Sequence, residues 1–167
     1  GKIADNSYRF NPMVVTEFGL AVLDGLVAGG VLAVVKHFPG HGRASGDTHQ
    51  GLAITPAIDE IRTTDLPPFQ AAIADGRAAV MVGHMAVPGL TYAPGFTEPM
   101  PASLSPEAVT GLLRDELGFD GLVVTDDLGM GAVDQRFGVI EAVERAIAAG
   151  VDLAMIPRPA DAAPVLD

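Results

Sequence analysis

Apolar positions recur at helical spacing after Asn11-Pro12, with Val15, Phe18, Leu23, Leu26 and Val27 on the repeat until Gly29-Gly30 stops it. This pattern predicts a helix over residues 12–28. Residues 31–35 then form an apolar run rich in β-branched side chains, long enough for a buried strand and too short for a helix. The run ends abruptly in Lys36-His37-Phe38-Pro39-Gly40-His41-Gly42, and a polar loop is expected to about Asp59. A second helix is predicted over 64–74, closed by Gly76.

The same arrangement repeats along the chain. Residues 78–82 read as a strand ending at Gly83-His84, and a Pro/Gly-rich loop follows to Leu104. Ser105 as N-cap and Pro106 at the first helical position open the next helix, whose apolar face is Val109, Leu112, Leu113 and Leu117 before Gly118. A third strand over 121–125 ends at Asp126-Asp127. A helix over 139–149 carries Val143 and Ile147 and stops at Gly150, and residues 152–156 form a fourth strand before Pro157. Strands alternating with helices imply right-handed βαβ units and a parallel sheet covered on both faces. Each strand ends in polar or ionisable residues: Lys36-His37, His84, Asp126-Asp127 and, less clearly, Arg158. Ligands of parallel α/β folds bind beyond those carboxyl ends.

Composition narrows the function classes. With 167 residues, 49% of them hydrophobic and 19% charged, the chain can bury a core and is not a disordered segment. No apolar run approaches the roughly 18–20 residues that span a bilayer, so no membrane partner is expected. A net charge of −11 with no Lys/Arg-rich stripe argues against nucleic acid. The absence of Cys excludes disulfides, thiolate metal sites and Cys nucleophiles. Gly1-Lys2-Ile3-Ala4-Asp5 offers neither an initiator Met nor a secretory signal, so the chain is expected to start inside a longer protein. Its compartment, cytoplasmic or exported, stays open.

Chemistry concentrates in Lys36 to His49, KHFPGHGRASGDTH, where three His, one Lys and one Asp share a loop relieved by three Gly. His37, His41, Asp47 and His49 are types that bind metal, but their spacing matches no familiar zinc signature. The plainer alternative is that His37 and His41 hold a Gly-bent loop by hydrogen bonds. In an extended loop Asp47 and His49 point the same way, so the carboxylate can fix one imidazole nitrogen and leave the other for acid–base work. The competing reading of Gly-Asp-Thr is a simple turn. Asp126, at a strand mouth, suits a nucleophile, a metal ligand or a helix cap. His84 is equally suited to lining a pocket or to structure, and Gly129-Met130-Gly131 to a flexing loop or a turn.

KHFPGHG followed by DTH, then MVGHM, then VVTDDLGM, in that order, resembles glycoside hydrolase family 3. The likeness is greatest to its bacterial β-N-acetylglucosaminidases, which act on peptidoglycan fragments, and it extends from Asn6 to Met155. The resemblance implies that Asp126 is the catalytic nucleophile and His49 the acid/base, with Asp47 its dyad partner. It further implies that Lys36 and His37 hydrogen-bond sugar hydroxyls, and it places His84 and Met130 among the substrate-binding residues. The implied substrate is a β-N-acetylglucosaminide or muropeptide, with no cofactor and no metal.

The resemblance also implies an α/β fold, a single incomplete catalytic domain over 1–167 that forms part of a (β/α)8 TIM-type barrel. A whole barrel takes about eight βα units and roughly 250 residues, whereas four strands and a remnant before Tyr8, four to five units in all, are legible here. Asn6 stands where the family carries a sugar-contacting Arg, and Arg9 is displaced from that place by three residues. Apolar barrel edges without neighbours are expected to self-associate.

Overall fold

The computed structural model describes residues 11–91 and 99–156. The Asn6 and Arg9 positions, the strand remnant before Tyr8 and Arg158 lie outside the described residues. Helix α1 spans Pro12–Ala28, with the Asn11 side chain accepting the Met13 N–H at its start. It packs on the helix Leu66–Asp75 and on the strand Ala33–Phe38. Its apolar residues run around the whole helix, so that Leu23 is buried while Phe18 and Leu26 stay substantially exposed.

Strand β1 covers Ala33–Phe38, later than the apolar run predicts: Val31 and Leu32 are exposed, and pairing resumes at Phe38 beyond an interruption at Lys36 and His37. After the short strand β2 (Ala53–Ile54), the polar stretch closes into helices α2 (Ile58–Thr64) and α3 (Leu66–Asp75). The helix predicted over 64–74 is α3, whereas α2 was not predicted and begins within the expected polar loop; it stops at Thr64 ahead of Pro67-Pro68, whose rings cannot continue its hydrogen bonding. Strand β3 is Ala78–Val82 and β4 is Met85–Ala86. A 3-10 turn, Ala102–Leu104, leads into the helix Glu107–Glu116.

Ser105 caps that helix as its sequence implies, accepting the Ala108 N–H on its hydroxyl, with Pro106 beside it. The helix is wound in the wider π form, and Leu117 N–H closes on Leu112 O at 3.0 Å. Val109, Leu112 and Leu113 still face the core. Strand β5 is Val123–Thr125 and helix α4 is Gly131–Ala149. The latter is longer than its apolar repeat indicates; a break at Gly138, with φ +69°, separates the unforeseen first half from the predicted second half.

Strands β1, β3 and β5 form a parallel sheet in the order β1-β3-β5, and β2 pairs in parallel with β4. Among the described residues the fourth predicted strand makes one parallel bridge, Leu153 to Val124. It goes no further because Thr125 Oγ1 takes the Met155 N–H at 2.9 Å in place of a ladder carbonyl. The core joins Phe38, Val80, Val82 and Val123 to Leu66, Leu112, Leu113 and Leu128. Each fully buried side chain of this size contributes roughly 1.5–3 kcal/mol, which fixes the sheet under the loops at its carboxyl end.

Candidate active site

Asp126 follows β5 directly. Its N–H extends the ladder to Val82 O at 2.9 Å, so the residue leaves the sheet at a fixed height. Its Oδ1 accepts the Asp127 N–H at 2.9 Å, and its Oδ2 lies 3.5 Å from His37 Nε2. The turn beyond is held at several points: Asp127 Oδ1 accepts Gly129 N–H at 2.7 Å, and Leu128 N–H reaches Met155 O at 3.0 Å.

Lys36 and His37 sit at a bulge, where β1 has two residues between pairs and β3 has one. The Lys36–His37 and Phe38–Pro39 peptide bonds are cis. Lys36 is exposed and His37 partly buried, and both line a cavity of about 800 Å³ that extends along α1 and α3. Burial pushes the His37 imidazole down to about 4, and the cation of Lys36 acts in the same direction, against the opposing pull of Asp126. At neutral pH the ring beside Asp126 is therefore uncharged, a hydrogen-bonding group in place of a counter-ion.

Asp47 and His49 meet, in a turn and not in an extended segment. Gln50 and Gly51 N–H both return to Asp47 O, at 2.9 and 3.1 Å. Asp47 Oδ1 accepts the His49 N–H at 3.0 Å and lies 2.9 Å from His49 Nδ1. The two alternatives that the sequence left open thus coincide: the turn is what brings the carboxylate to the imidazole. The backbone and ring bonds from His49 hold the Asp47 carboxyl below its ordinary range. The His49 side chain is otherwise 69% exposed.

His84 does not fit the expected contact with substrate. It is fully buried, and both ring nitrogens are engaged, Nδ1 with Ser103 Oγ at 2.7 Å and Nε2 with Asp127 O at 2.8 Å. A carbonyl only accepts, so Nε2 carries the proton and Nδ1 accepts from the Ser103 hydroxyl. Burial lowers the His84 pKa, which keeps this neutral arrangement. His84 is a strut beneath the Asp126 turn, with no polar atom left for a sugar. Met130 is buried as well, at the N-cap position of α4.

His41 shares a hydrogen bond with Thr48 through Nε2, at 3.2 Å, with both residues buried. Arg43 anchors the start of the same loop on Glu60, Thr64 and Asp65. Gly40, at φ +140°, passes so close to Asp65 that an added Cβ would lie 2.5 Å from its Cβ. Ser103, Thr48 and the Arg43 anchor are site-building residues that sequence reasoning missed. Only the crowding of small and polar residues around the His motifs signalled them. Among the described residues no three His, Asp or Glu side chains gather as metal ligands.

The chain matches the model of the glycosyl hydrolase family 3 N-terminal domain over residues 1–164. It belongs to that family. It is 46% identical over 171 aligned residues to beta-hexosaminidase LpqI of Mycobacterium tuberculosis, covering 99% of this chain and 42% of that protein. A crystal structure of a family 3 glycosyl hydrolase from Mycobacterium smegmatis superposes with a TM-score of 0.92 at 48% identity, over 99% of this chain and 50% of that one. A family 3 β-N-acetylglucosaminidase from Paenibacillus sp. FPU-7 gives 0.90 at 40% identity, over 96% of this chain and 30% of that one. The chain therefore spans less than half the length of the curated relative. These neighbours are TIM-type barrels, and the β1-β3-β5 sheet with its helices is part of such a barrel.

Proposed function

We propose that this family 3 chain carries the catalytic centre of a retaining β-N-acetylhexosaminidase, with Asp126 as nucleophile and His49, oriented by Asp47, as acid/base. The observation that carries the reading is the 2.9 Å contact between Asp47 Oδ1 and His49 Nδ1, on a loop at the same end of the sheet as Asp126. A carboxylate on Nδ1 selects the tautomer and leaves Nε2 for proton transfer. The hexosaminidase names of its relatives support the same reading.

In the first step the Asp126 carboxylate attacks the anomeric carbon while protonated His49 gives its Nε2 proton to the departing glycosidic oxygen. The carbon–oxygen bond breaks and a glycosyl ester forms on Asp126. In the second step neutral His49 takes a proton from water, whose oxygen attacks the anomeric carbon and returns Asp126 as a free carboxylate. A neutral imidazole base adds no negative charge beside the ester. Lys36 and uncharged His37 hydrogen-bond the hydroxyls of the sugar bound over Asp126. The aglycone favoured by the motif resemblance is the muramyl part of a peptidoglycan fragment.

A 5-fluoro-N-acetylglucosaminyl fluoride tests the assignment, because it slows the second step and traps the ester. Mass spectrometry is expected to find the label on the peptide containing Asp126, and a label on any other carboxylate overturns the reading. Release of free N-acetylglucosamine from a disaccharide muropeptide tests the substrate class. Repeating the assay in phosphate separates hydrolysis from transfer to phosphate, which a neutral base tolerates as acceptor.

A further inference from the structure

Helix α4 starts without a side-chain cap, since Met130 occupies the cap position and has no group to offer. Its first amides are bonded all the same. Gly131 N–H reaches His49 O at 3.2 Å, and Ala132 N–H reaches Thr48 O at 3.1 Å. The opening N–H groups of a helix need acceptors from outside it, and here two of them come from the backbone of the Asp47–His49 turn. Gln135 Nε2 adds a bond to Gln50 O at 3.3 Å.

This docking requires that residue 131 has no side chain. A Cβ on Gly131 would lie 2.7 Å from His49 O and 3.0 Å from the Gln50 carbonyl carbon, both backbone atoms that cannot swing aside. Thr48 holds the turn from within: it is 2% exposed and its hydroxyl meets His41 Nε2. Ser45 and Ile54 close the neck of the loop with a pair of backbone bonds, Ser45 N–H to Ile54 O at 2.8 Å and the return bond at 3.4 Å. The loop is thus fastened through its backbone and through Thr48, and none of these fastenings uses the His49 ring.

Resting on the glycosidase reading above, we propose that Gly131 and Thr48 are positioning residues that seat the Asp47–His49 turn on the start of α4. Helix α4 leaves the Asp126 turn directly, so the seat fixes the acid/base group relative to the nucleophile. A displacement of about 1 Å in such a pair costs on the order of a hundredfold in rate.

The test uses Gly131→Ala and Thr48→Val in the full-length protein, with Gly25→Ala on α1 as control, where an added Cβ meets nothing within 4 Å. Two aryl β-N-acetylglucosaminides are compared. A poor leaving group needs the proton from His49, whereas 2,4-dinitrophenolate departs without it. For both site variants kcat/KM is expected to fall about a hundredfold on the poor leaving group and to stay near wild type on the dinitrophenyl sugar. The Gly131 and Ala132 amides, protected from hydrogen exchange in the wild type, are expected to exchange faster in the variants. Equal losses on both substrates, or no loss on either, overturn the proposal. If the wild type turns over neither sugar, the glycosidase reading fails, and free exchange of those two amides in the wild type overturns the seat independently. Should Gly131→Ala fail to fold, Thr48→Val carries the same comparison, since it keeps the side-chain shape and replaces the hydroxyl that meets His41 with a methyl group.

Discussion

Asp47 Oδ1 binds His49 twice, accepting its backbone N–H at 3.0 Å and contacting its ring Nδ1 at 2.9 Å. One carboxylate oxygen thereby fixes both where the residue begins and how its imidazole is turned. The carboxyl is held below its ordinary pKa by these bonds. The pair therefore persists through mildly acidic pH and is lost only as pH falls through that lowered value.

Asp47→Ala is expected to remove the orientation while leaving the imidazole in place. Positioned acid–base catalysis is worth roughly 10²–10⁴-fold, so kcat on a substrate with a poor leaving group should drop by about that lower figure. KM is expected to change little, because the proposed role of Asp47 is to orient His49. Steady-state kinetics check this, and an unchanged kcat would remove Asp47 from the mechanism.

His37 gives a pH dependence of stability with a definite sign. Its folded pKa, about 4, lies below the ordinary 6.5, so the unfolded chain binds the extra proton first. The stabilisation is complete above pH 6.5 and declines as pH falls towards 4. His84 acts in the same direction, since burial lowers its pKa as well. Denaturant unfolding between those limits should show stability falling with acid, less steeply in His37→Gln. A parallel pH dependence in that variant would contradict the assignment.

Ser103→Ala leaves His84 Nδ1 buried without its 2.7 Å donor. An unsatisfied buried acceptor costs about 1–3 kcal/mol, so chemical denaturation should report a loss in that range. Because His84 also carries Asp127 O, the Asp126 turn should loosen too, which hydrogen exchange at Asp127 and Leu128 would show.

The 167-residue chain by itself is expected to self-associate. Among the described residues β1 pairs only with β3, and Val31, Leu32 and Met13 are more than half exposed. Unpaired edges beside apolar surface recruit partners. Light scattering coupled to size-exclusion chromatography should find species above 17.2 kDa, and a stable monomer would count against the idea.

Much of the frame was legible in the chain. Glycines after apolar repeats marked helix ends at Gly76, Gly118 and Gly150, and β-branched runs marked the strands, because these signals depend on backbone freedom and periodicity within a few residues. Helix α2 and the first half of α4 were not legible. Helix α2 is short and its cap position, Ala57, has no capping side chain, and the start of α4 is capped by the distant carbonyls of Thr48 and His49.

The sequence by itself determined the order of βα units, the polar strand ends and the motifs that resemble family 3, all properties of residues close together in the chain. Only the tertiary structure decided what those residues face. It placed His37 against Asp126 and buried His84 between Ser103 and Asp127. It also set the dyad turn on Gly131, across a stretch of chain that no local pattern links. Hydrogen bonds and steric clearance at a few ångströms depend on which strands become neighbours, and that is settled by packing the whole sheet.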